Sequence, residues 1–136
     1  MGKYSDSQSD IFSVFNSSGW KSENIETVPQ DYKGEIFSDE YIRVSIVPAG
    51  RGVNRASVSG VVIVDIYTPA GFGPKRQNHI ADRLDAYLQN RSLETQSRGI
   101  TQFLTSSMSP LGTDSVNTSL QRAKYEIPFN FFGVLD

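Results

Sequence analysis

The fold of this chain depends on positions 41 to 68, which read YIRVSIVPAGRGVNRASVSGVVIVDIYT. In the first part, Ile42, Val44 and Ile46 alternate with more polar residues, which is typical of a strand with one buried face. The second part continues the alternation with further aliphatic residues on one face, namely Val58, Val62, Val64 and Ile66. Residues 49 to 54 between the two parts contain glycine and asparagine, so the stretch predicts a long β-hairpin.

Two prolines mark where these strands are expected to end. Pro48 and Pro69 directly follow the two apolar runs, and proline has no N–H with which to continue a ladder. Burial of a whole aliphatic side chain stabilises a fold by about 1.5–3 kcal/mol. The aliphatic face of the hairpin is therefore the expected anchor of the core, and the other elements must cover it.

Length and composition favour one soluble domain that spans residues 1–136. The chain has 136 residues, of which 38% are hydrophobic and 21% charged. Its longest aliphatic run, Val61 to Val64, ends at Asp65, far short of the roughly 20 residues that a transmembrane helix requires. The first residues, MGKYSDSQ, are polar and unlike a signal peptide. We therefore expect a protein that is made and kept, or assembled, in a cytoplasm.

The sequence lacks the residue sets that most catalytic and metal sites need. It contains no cysteine and one histidine, His79, which excludes disulfides, thiolate ligands and histidine-based zinc motifs. The segment GFGP at 71 to 74 departs from a phosphate-binding loop, because Pro74 has no N–H to donate. Asp82 and Asp85 fit the solvated face of a helix. We predict no catalytic, cofactor or metal residues and expect that the chain is not an enzyme.

Charge is distributed unevenly along the chain. Residues 1 to 40 contain three lysines against eight carboxylates, a net charge of −5, although the whole chain carries −2. Residues 41 to 100 contain eight basic residues against four carboxylates, a net charge of +4. Two interpretations fit this pattern. The charges are clustered by chance on a solvated surface, or the subunit has one acidic and one basic flank, as head-to-tail or ring assembly would favour.

The remaining patterns predict two helices and two or three further strands. Helices are expected at Ser5 to Phe15 and from Pro74 to near Asn90, and strands at Ile100 to Thr105 and Leu120 to Phe132. A short strand near Ile25 and Val28 would be the additional one. The predicted fold class is α+β, an antiparallel sheet of four to five strands with two helices packed on it, including the long central β-hairpin.

Five segments of this chain have a distinctive character and order. They are IFSVFNSSGW (11–20), YIRVSIVP (41–48), SGVVIVDIYTPAGFG (59–73), IADRLDAYLQN (80–90) and AKYEIPFNFFG (123–133). In this order they resemble the tail terminator and tail-completion proteins of long-tailed bacteriophages. The resemblance covers almost the whole chain and concerns the order and character of the elements, without an invariant motif.

The resemblance implies a structural virion protein without a cofactor. It implies an α+β subunit that forms a homo-hexameric ring on the head-proximal end of the finished tail tube. Such a ring would stop polymerisation of the major tail tube protein and would offer a head-joining surface to a neck protein. The resemblance therefore places the protein in the virion tail, assembled in the host cytoplasm.

Two segments are the candidate interfaces for subunit or tube contacts. One is the hairpin connection 49 to 54, where Arg51 and Arg55 would provide charge complementarity. The other is the polar segment 106 to 119, predicted to be a long loop in which Met108 and Leu111 would make apolar contacts that order on binding. Pro128 lies inside the last strand and predicts a sheet edge or a bulge, and as an edge residue it would be a further interface candidate.

Three alternatives remain open at this point. A head–tail connector, or neck protein, would bind filled heads instead of tail tubes. A small enzyme or ligand-binding module would be stabilised by a nucleotide or a divalent metal. A nucleic-acid-binding accessory protein would be retained on DNA in a salt-dependent way, but aromatics are not interleaved with the arginines, and neither sequence-specific nucleic-acid binding nor membrane binding is predicted.

Overall fold

The computed structural model describes residues 2–34, 39–93 and 99–134, which form three helices and seven strands. The helices are α1 (Lys3–Phe15), α2 (Ser18–Lys21) and α3 (Lys75–Leu88). The strands are β1 (Glu26–Pro29), β2 (Tyr41–Arg51), β3 (Val58–Pro69), β4 (Ser92–Leu93), β5 (Ile100–Phe103), β6 (Ser107–Thr113) and β7 (Leu120–Phe132).

All seven strands belong to one mixed sheet that curls into a half-barrel. The order is β1-β2-β3-β7-β5-β4, and β6 pairs with the part of β7 that β5 leaves free. β1 runs parallel to β2, whereas every other pairing is antiparallel. The predicted antiparallel sheet of four to five strands with two helices is therefore wrong. β1 corresponds to the short additional strand expected near Ile25 and Val28. Of the elements that were not expected, α2 and β4 have four residues or fewer, too short for a periodic pattern, and the third is β6.

The two long strands of the hairpin lie side by side. β2 and β3 are antiparallel neighbours, with Ile42 opposite Ile66 and Val44 opposite Val64. The expectation that Pro48 and Pro69 stand outside the strands is wrong, since Pro48 pairs with Gly60 and Pro69 is the last residue of β3. The Ile46 N–H is bonded to the Gln30 side chain, on the side away from β3. Pro48 is two residues further along, so its backbone nitrogen faces the same side, away from β3. The N–H that proline lacks is therefore not needed for pairing with β3.

Helices α1 and α3 cover one face of the sheet and enclose the core with it. Six of the seven aliphatic residues predicted to face inward are buried, and Ile46 is half-buried. Trp20 is 1% exposed and meets both Phe15 and Tyr87 edge to face, with ring centroids 5.3 Å apart in each pair. Its indole N–H donates to Thr27 Oγ1 at 2.9 Å, which satisfies the polar edge of a buried ring.

The segment 106 to 119 is not the long loop that its composition predicts, because residues 107–113 form β6 on the edge of β7. β5 and β6 follow each other along β7, with Phe103 opposite Phe129 and Ser107 opposite Glu126. The segment between Phe103 and Ser107 is one residue longer than the segment of β7 between their partners Phe129 and Glu126. The hydrogen-bond ladder is therefore interrupted there.

Pro128 lies at this interruption, in the middle of the sheet. It pairs with Val61 of β3 on one side, and its carbonyl accepts the Leu104 N–H on the other side. The backbone nitrogen and the carbonyl of a strand residue face the same side. The nitrogen of Pro128 therefore faces the gap between β5 and β6, where no strand requires an N–H donor. The prediction of a sheet edge is therefore wrong. The alternative, a bulge, stays a prediction, since the register of β7 with β3 is continuous through Pro128.

No helix among the residues that the structure describes combines the length and apolar character needed to cross a lipid bilayer.

Candidate protein-interaction surfaces

The turn between β2 and β3 presents two arginines and an apolar residue to solvent. Arg51, Val53 and Arg55 are exposed, and Val53 retains 75% of its accessible surface. Among the described residues, neither guanidinium has a hydrogen bond or an ion pair. We refer to these three residues as the tip surface. Its charge is free for a partner, as is its apolar side chain.

Local hydrogen bonds hold the turn that carries the tip surface. Asn54 Oδ1 accepts the Ala56 N–H at 2.9 Å and the hydroxyl of Ser57 at 3.0 Å. Ser57 is fully buried, and its Oγ accepts the Gly133 N–H at 3.0 Å just beyond the end of β7. The arginines therefore project from a turn that is tied to the sheet.

The opposite end of the same hairpin forms a pocket with an aromatic wall. Tyr41 and Tyr67 are register partners on β2 and β3, and their rings stack with centroids 4.5 Å apart and planes inclined by 15°. With Asp39, Asp114 and Val116 they line a cavity of about 430 Å³. We call this cavity the tyrosine pocket; its remaining lining residues are Arg43, Asn117, Ser119 and Leu120.

The tyrosine pocket has charged groups of both signs. The pKa of Tyr67 is raised, first because the phenol is partly buried; Asp65 raises it further, Arg122 lowers it, and Asp114 makes a smaller raising contribution. Asp65 itself is bonded to Arg122, with the Nη2 and Oδ1 atoms 2.7 Å apart. Arg43 donates to the carbonyls of Gln30 and Tyr32, at 3.4 and 3.3 Å. Both arginines near the pocket thus have partners within the chain.

Two neighbouring turns at this end expose large apolar side chains. Phe72 lies in the β3–α3 turn and is 81% exposed, and Val116 lies in the β6–β7 turn and is 92% exposed. The turns are joined because the Ala70 N–H donates to the Ser119 carbonyl at 2.8 Å. Exposed apolar side chains of this size on a fixed turn are typical of contact sites.

The interface residues predicted from the sequence occupy different environments. Arg51, Arg55 and Leu111 are exposed, and Leu111 lies at a bulge in β6. Met108 is half-buried and packs against the core, and Pro128 is half-buried in the middle of the sheet. The structure therefore leaves the first three available to a partner and uses the other two within the subunit.

Sequence reasoning missed the tyrosine pocket, although a signal for it was present. In an antiparallel hairpin, residues equally far from the turn become partners, and the pairing of Ile42 with Ile66 also pairs Tyr41 with Tyr67. Aligning the two alternating runs would therefore have placed the tyrosines together. Asp39 and Asp114 lie in connections whose course the sequence pattern does not predict.

A third polar cluster lies inside the fold, between α3 and the β5–β6 interruption. The Tyr125 hydroxyl donates to Asp85 Oδ1 at 2.6 Å, and the Ser106 hydroxyl lies 2.6 Å from the same oxygen and 2.8 Å from Gln89 Oε1. Burial, and secondarily the bond to Asp85, raise the pKa of Tyr125 well above its usual range. The cluster attaches the interrupted strand to the helix, which is a structural role.

Residues that could hold a metal ion do not come together in the part of the chain described by the structure. No group of three or more histidine, aspartate or glutamate side chains with suitable spacing occurs within residues 2–34, 39–93 and 99–134. The exposed His79 is on the outer side of α3.

Comparison with known proteins supports the fold. No family model matches the chain, and no curated protein matches it. A solved structure of a protein whose name states no function superposes on it with a TM-score of 0.70, covering 95% of this chain and 98% of that one. The two sequences are 17% identical, so the likeness concerns the fold alone.

Proposed function

We propose that this chain is a structural virion protein of a long-tailed bacteriophage, a tail terminator that caps the head-proximal end of the tail tube. The observation that carries the proposal is the pair of different surfaces at the two ends of one hairpin. The tip surface has free positive charge, and the tyrosine pocket has carboxylates and an aromatic wall. Subunits with two complementary, non-identical surfaces associate head to tail, and such contacts form a ring when the rotation from one subunit to the next closes.

The proposed mechanism is occlusion. A homo-hexameric ring would bind the end of the tube with one face and expose a different face to the head. The next subunit of the major tail tube protein would then find no equivalent surface, so the tube would stop growing. The second face would bind a neck protein and join head to tail. The proposed location is the virion tail after assembly in the host cytoplasm, without a cofactor, a membrane or sequence-specific nucleic acid.

Electron microscopy of growing tail tubes tests this function. Tube protein of the phage that encodes the chain is polymerised with and without a molar excess of this protein. We expect shorter tubes with added density at one end, because each capped end no longer extends. Unchanged tube lengths and bare ends at saturating protein would overturn the proposal. Binding to portal-containing heads without binding to tubes would instead identify a head–tail connector.

A further inference from the structure

We propose that the tip surface of one copy docks in the tyrosine pocket of the next copy of this chain. This inference rests on the proposed function, for which it supplies the contact between neighbouring subunits. The partner on each side is a second copy of the same chain. The chemistry is the insertion of Arg51 or Arg55 between carboxylates and against an aromatic wall.

The tip surface has the residue type that this contact requires. A guanidinium is planar, remains charged, stacks on aromatic rings and donates two parallel hydrogen bonds to a carboxylate. Arg51 and Arg55 are both exposed, without an ion pair among the described residues. Other arginines are already engaged in bidentate pairs, Arg76 with Glu40 and Arg83 with Glu23.

The tyrosine pocket has the complementary chemistry. Two carboxylates, Asp39 and Asp114, and one cation, Arg43, are on its lining, and the stacked rings of Tyr41 and Tyr67 form one wall. Arg43 donates to the carbonyls of Gln30 and Tyr32, so both carboxylates remain available to a guanidinium. The Asn117 N–H donates a hydrogen bond of 2.9 Å to Asp114 Oδ2. This bond orients the carboxylate without neutralising its charge. The cavity of about 430 Å³ has room for an arginine head group and part of its stem.

A single copy cannot make this contact within itself. β2 begins with Tyr41 at the pocket and ends with Arg51 at the tip. At about 3.3 Å per residue, these strand ends lie roughly 33 Å apart. The two surfaces can therefore meet only between copies, in a head-to-tail contact that leaves one tip and one pocket for the next subunit.

Two of the open edges of the sheet, those of β2 beyond β1 and of β6, do not offer a better contact. β2 beyond β1 contains Pro48 and a bulge before Gly50, and β6 contains Pro110 and a bulge before Gly112. Prolines and bulges at a sheet edge prevent the regular pairing of a further strand. Side-chain docking at the ends of the hairpin is therefore favoured over continuation of the sheet.

Reciprocal charge reversal tests the contact. One variant combines Arg51→Glu with Arg55→Glu, and the other combines Asp39→Arg with Asp114→Arg. Native mass spectrometry and sedimentation velocity report the oligomeric state at low and high salt. We expect the concentration for half-assembly to rise about 100-fold or more in each variant, because like charges replace opposite ones. The wild-type assembly should also weaken as salt increases.

Mixing the two variants should restore assembly. The reversed tip fits the reversed pocket, and the native tip of the second variant fits the native pocket of the first, so a ring with alternating subunits can close. The control combines Lys21→Glu with Arg91→Glu, two exposed cations outside both surfaces, and should assemble like the wild type. Circular dichroism checks the fold, and Arg51→Gln with Arg55→Gln replaces the tip variant if the glutamates prevent folding.

The outcomes separate this inference from the proposed function. A wild type that stays monomeric, a tip variant that assembles normally, or a mixture that does not recover overturns the tip-to-pocket contact, whatever the protein does on tail tubes. Assembly that follows the expected charge pattern in a protein that leaves tube growth unchanged supports the contact and overturns only the tail-terminator function.

Discussion

The base of the central hairpin has an alternating apolar pattern, whereas the tip is rich in glycine, asparagine and arginine, and the two regions have different environments. In the base, which comprises residues 41–46 and 62–67, β2 lies between β1 and β3, and the helices cover one face. Ile42 and Val44 are fully buried there. In the tip, residues 47–57, the outer edge of β2 has no strand beside it among the described residues, and Val47 is 40% exposed.

The last inward residue of the base shows that alternation predicts the direction of a side chain but not its burial. Ile46 continues the inward series of Ile42 and Val44, yet it is only half-buried. Strand β1, the neighbour of β2, ends at Pro29 opposite Val44. Ile46 therefore lies beyond the part of β2 that β1 flanks. The base accordingly stabilises the subunit, whereas most side chains of the tip are exposed.

The largest effect should come from shortening a side chain in the base. Ile66 is fully buried between Ile42 and Ala123, so Ile66→Ala removes apolar contacts and leaves a cavity. We expect the free energy of unfolding to fall by about 2–5 kcal/mol. Val53→Ala in the tip should change it by less than about 0.5 kcal/mol. Equilibrium urea unfolding measures both, and equal losses would show that base and tip do not differ.

A smaller effect is expected where the base contacts the buried polar cluster. Tyr125 lies opposite Val64, and its hydroxyl donates to Asp85. Tyr125→Phe removes this hydrogen bond, whereas the carboxylate of Asp85 keeps its hydrogen bond from Ser106. We expect a loss of about 1–2 kcal/mol at neutral pH. Tyr4→Phe removes the hydroxyl of an exposed tyrosine and is the matched control.

The same variant has a testable pH dependence. Because the folded-state pKa of Tyr125 is raised, its contribution is constant below the unfolded pKa of about 10 and declines as pH rises further. The wild type should therefore lose stability above about pH 10 more steeply than Tyr125→Phe. Parallel pH curves for the two proteins would exclude this contribution.

The smallest effect should occur at a half-buried ion pair between α3, which covers the base, and the connection between α2 and β1. Glu23 accepts two bonds from Arg83 and one from Tyr87, and the Arg83 bond is the main reason that its pKa is lowered. Its contribution is present above the unfolded pKa and is lost as pH falls through the lower folded pKa. Glu23→Gln should therefore reduce the difference between melting temperatures at neutral and acidic pH.

Asp31→Asn is the matched control for this third change. Asp31 is exposed and has no ion pair among the described residues. Asp31→Asn should leave the difference between the melting temperatures at neutral and acidic pH nearly unchanged. A reduction as large as that caused by Glu23→Gln would contradict the assignment of this pH dependence to the Glu23–Arg83 pair.

Elements with long apolar patterns were predictable from the sequence. β7 was expected at Leu120 to Phe132 and has those bounds, and α1 begins two residues before the expected Ser5. β6 was missed because most of its residues are exposed and show no alternation. It is a strand because the edge of β7 beyond β5 offers free hydrogen-bonding groups.

The candidate surfaces were predictable only in part. The arginines of the tip were found because the turn between two strong strand patterns must be exposed. The tyrosine pocket was missed because its members come from β2, β3 and two connections. Pro128 indicated an interruption, but which strand it interrupts depends on where β5 and β6 meet β7.

By itself, the sequence determined which side chains of the hairpin, of α3 and of β7 face an apolar interior, because that information is local and repeats with the period of each element. Only the tertiary structure decided that β1 pairs in parallel, that β5 and β6 share one edge of β7, and that the tip and the pocket lie at opposite ends. Backbone hydrogen-bonding groups are nearly the same in every residue. Partners, edges and free surfaces therefore depend on which distant segments meet.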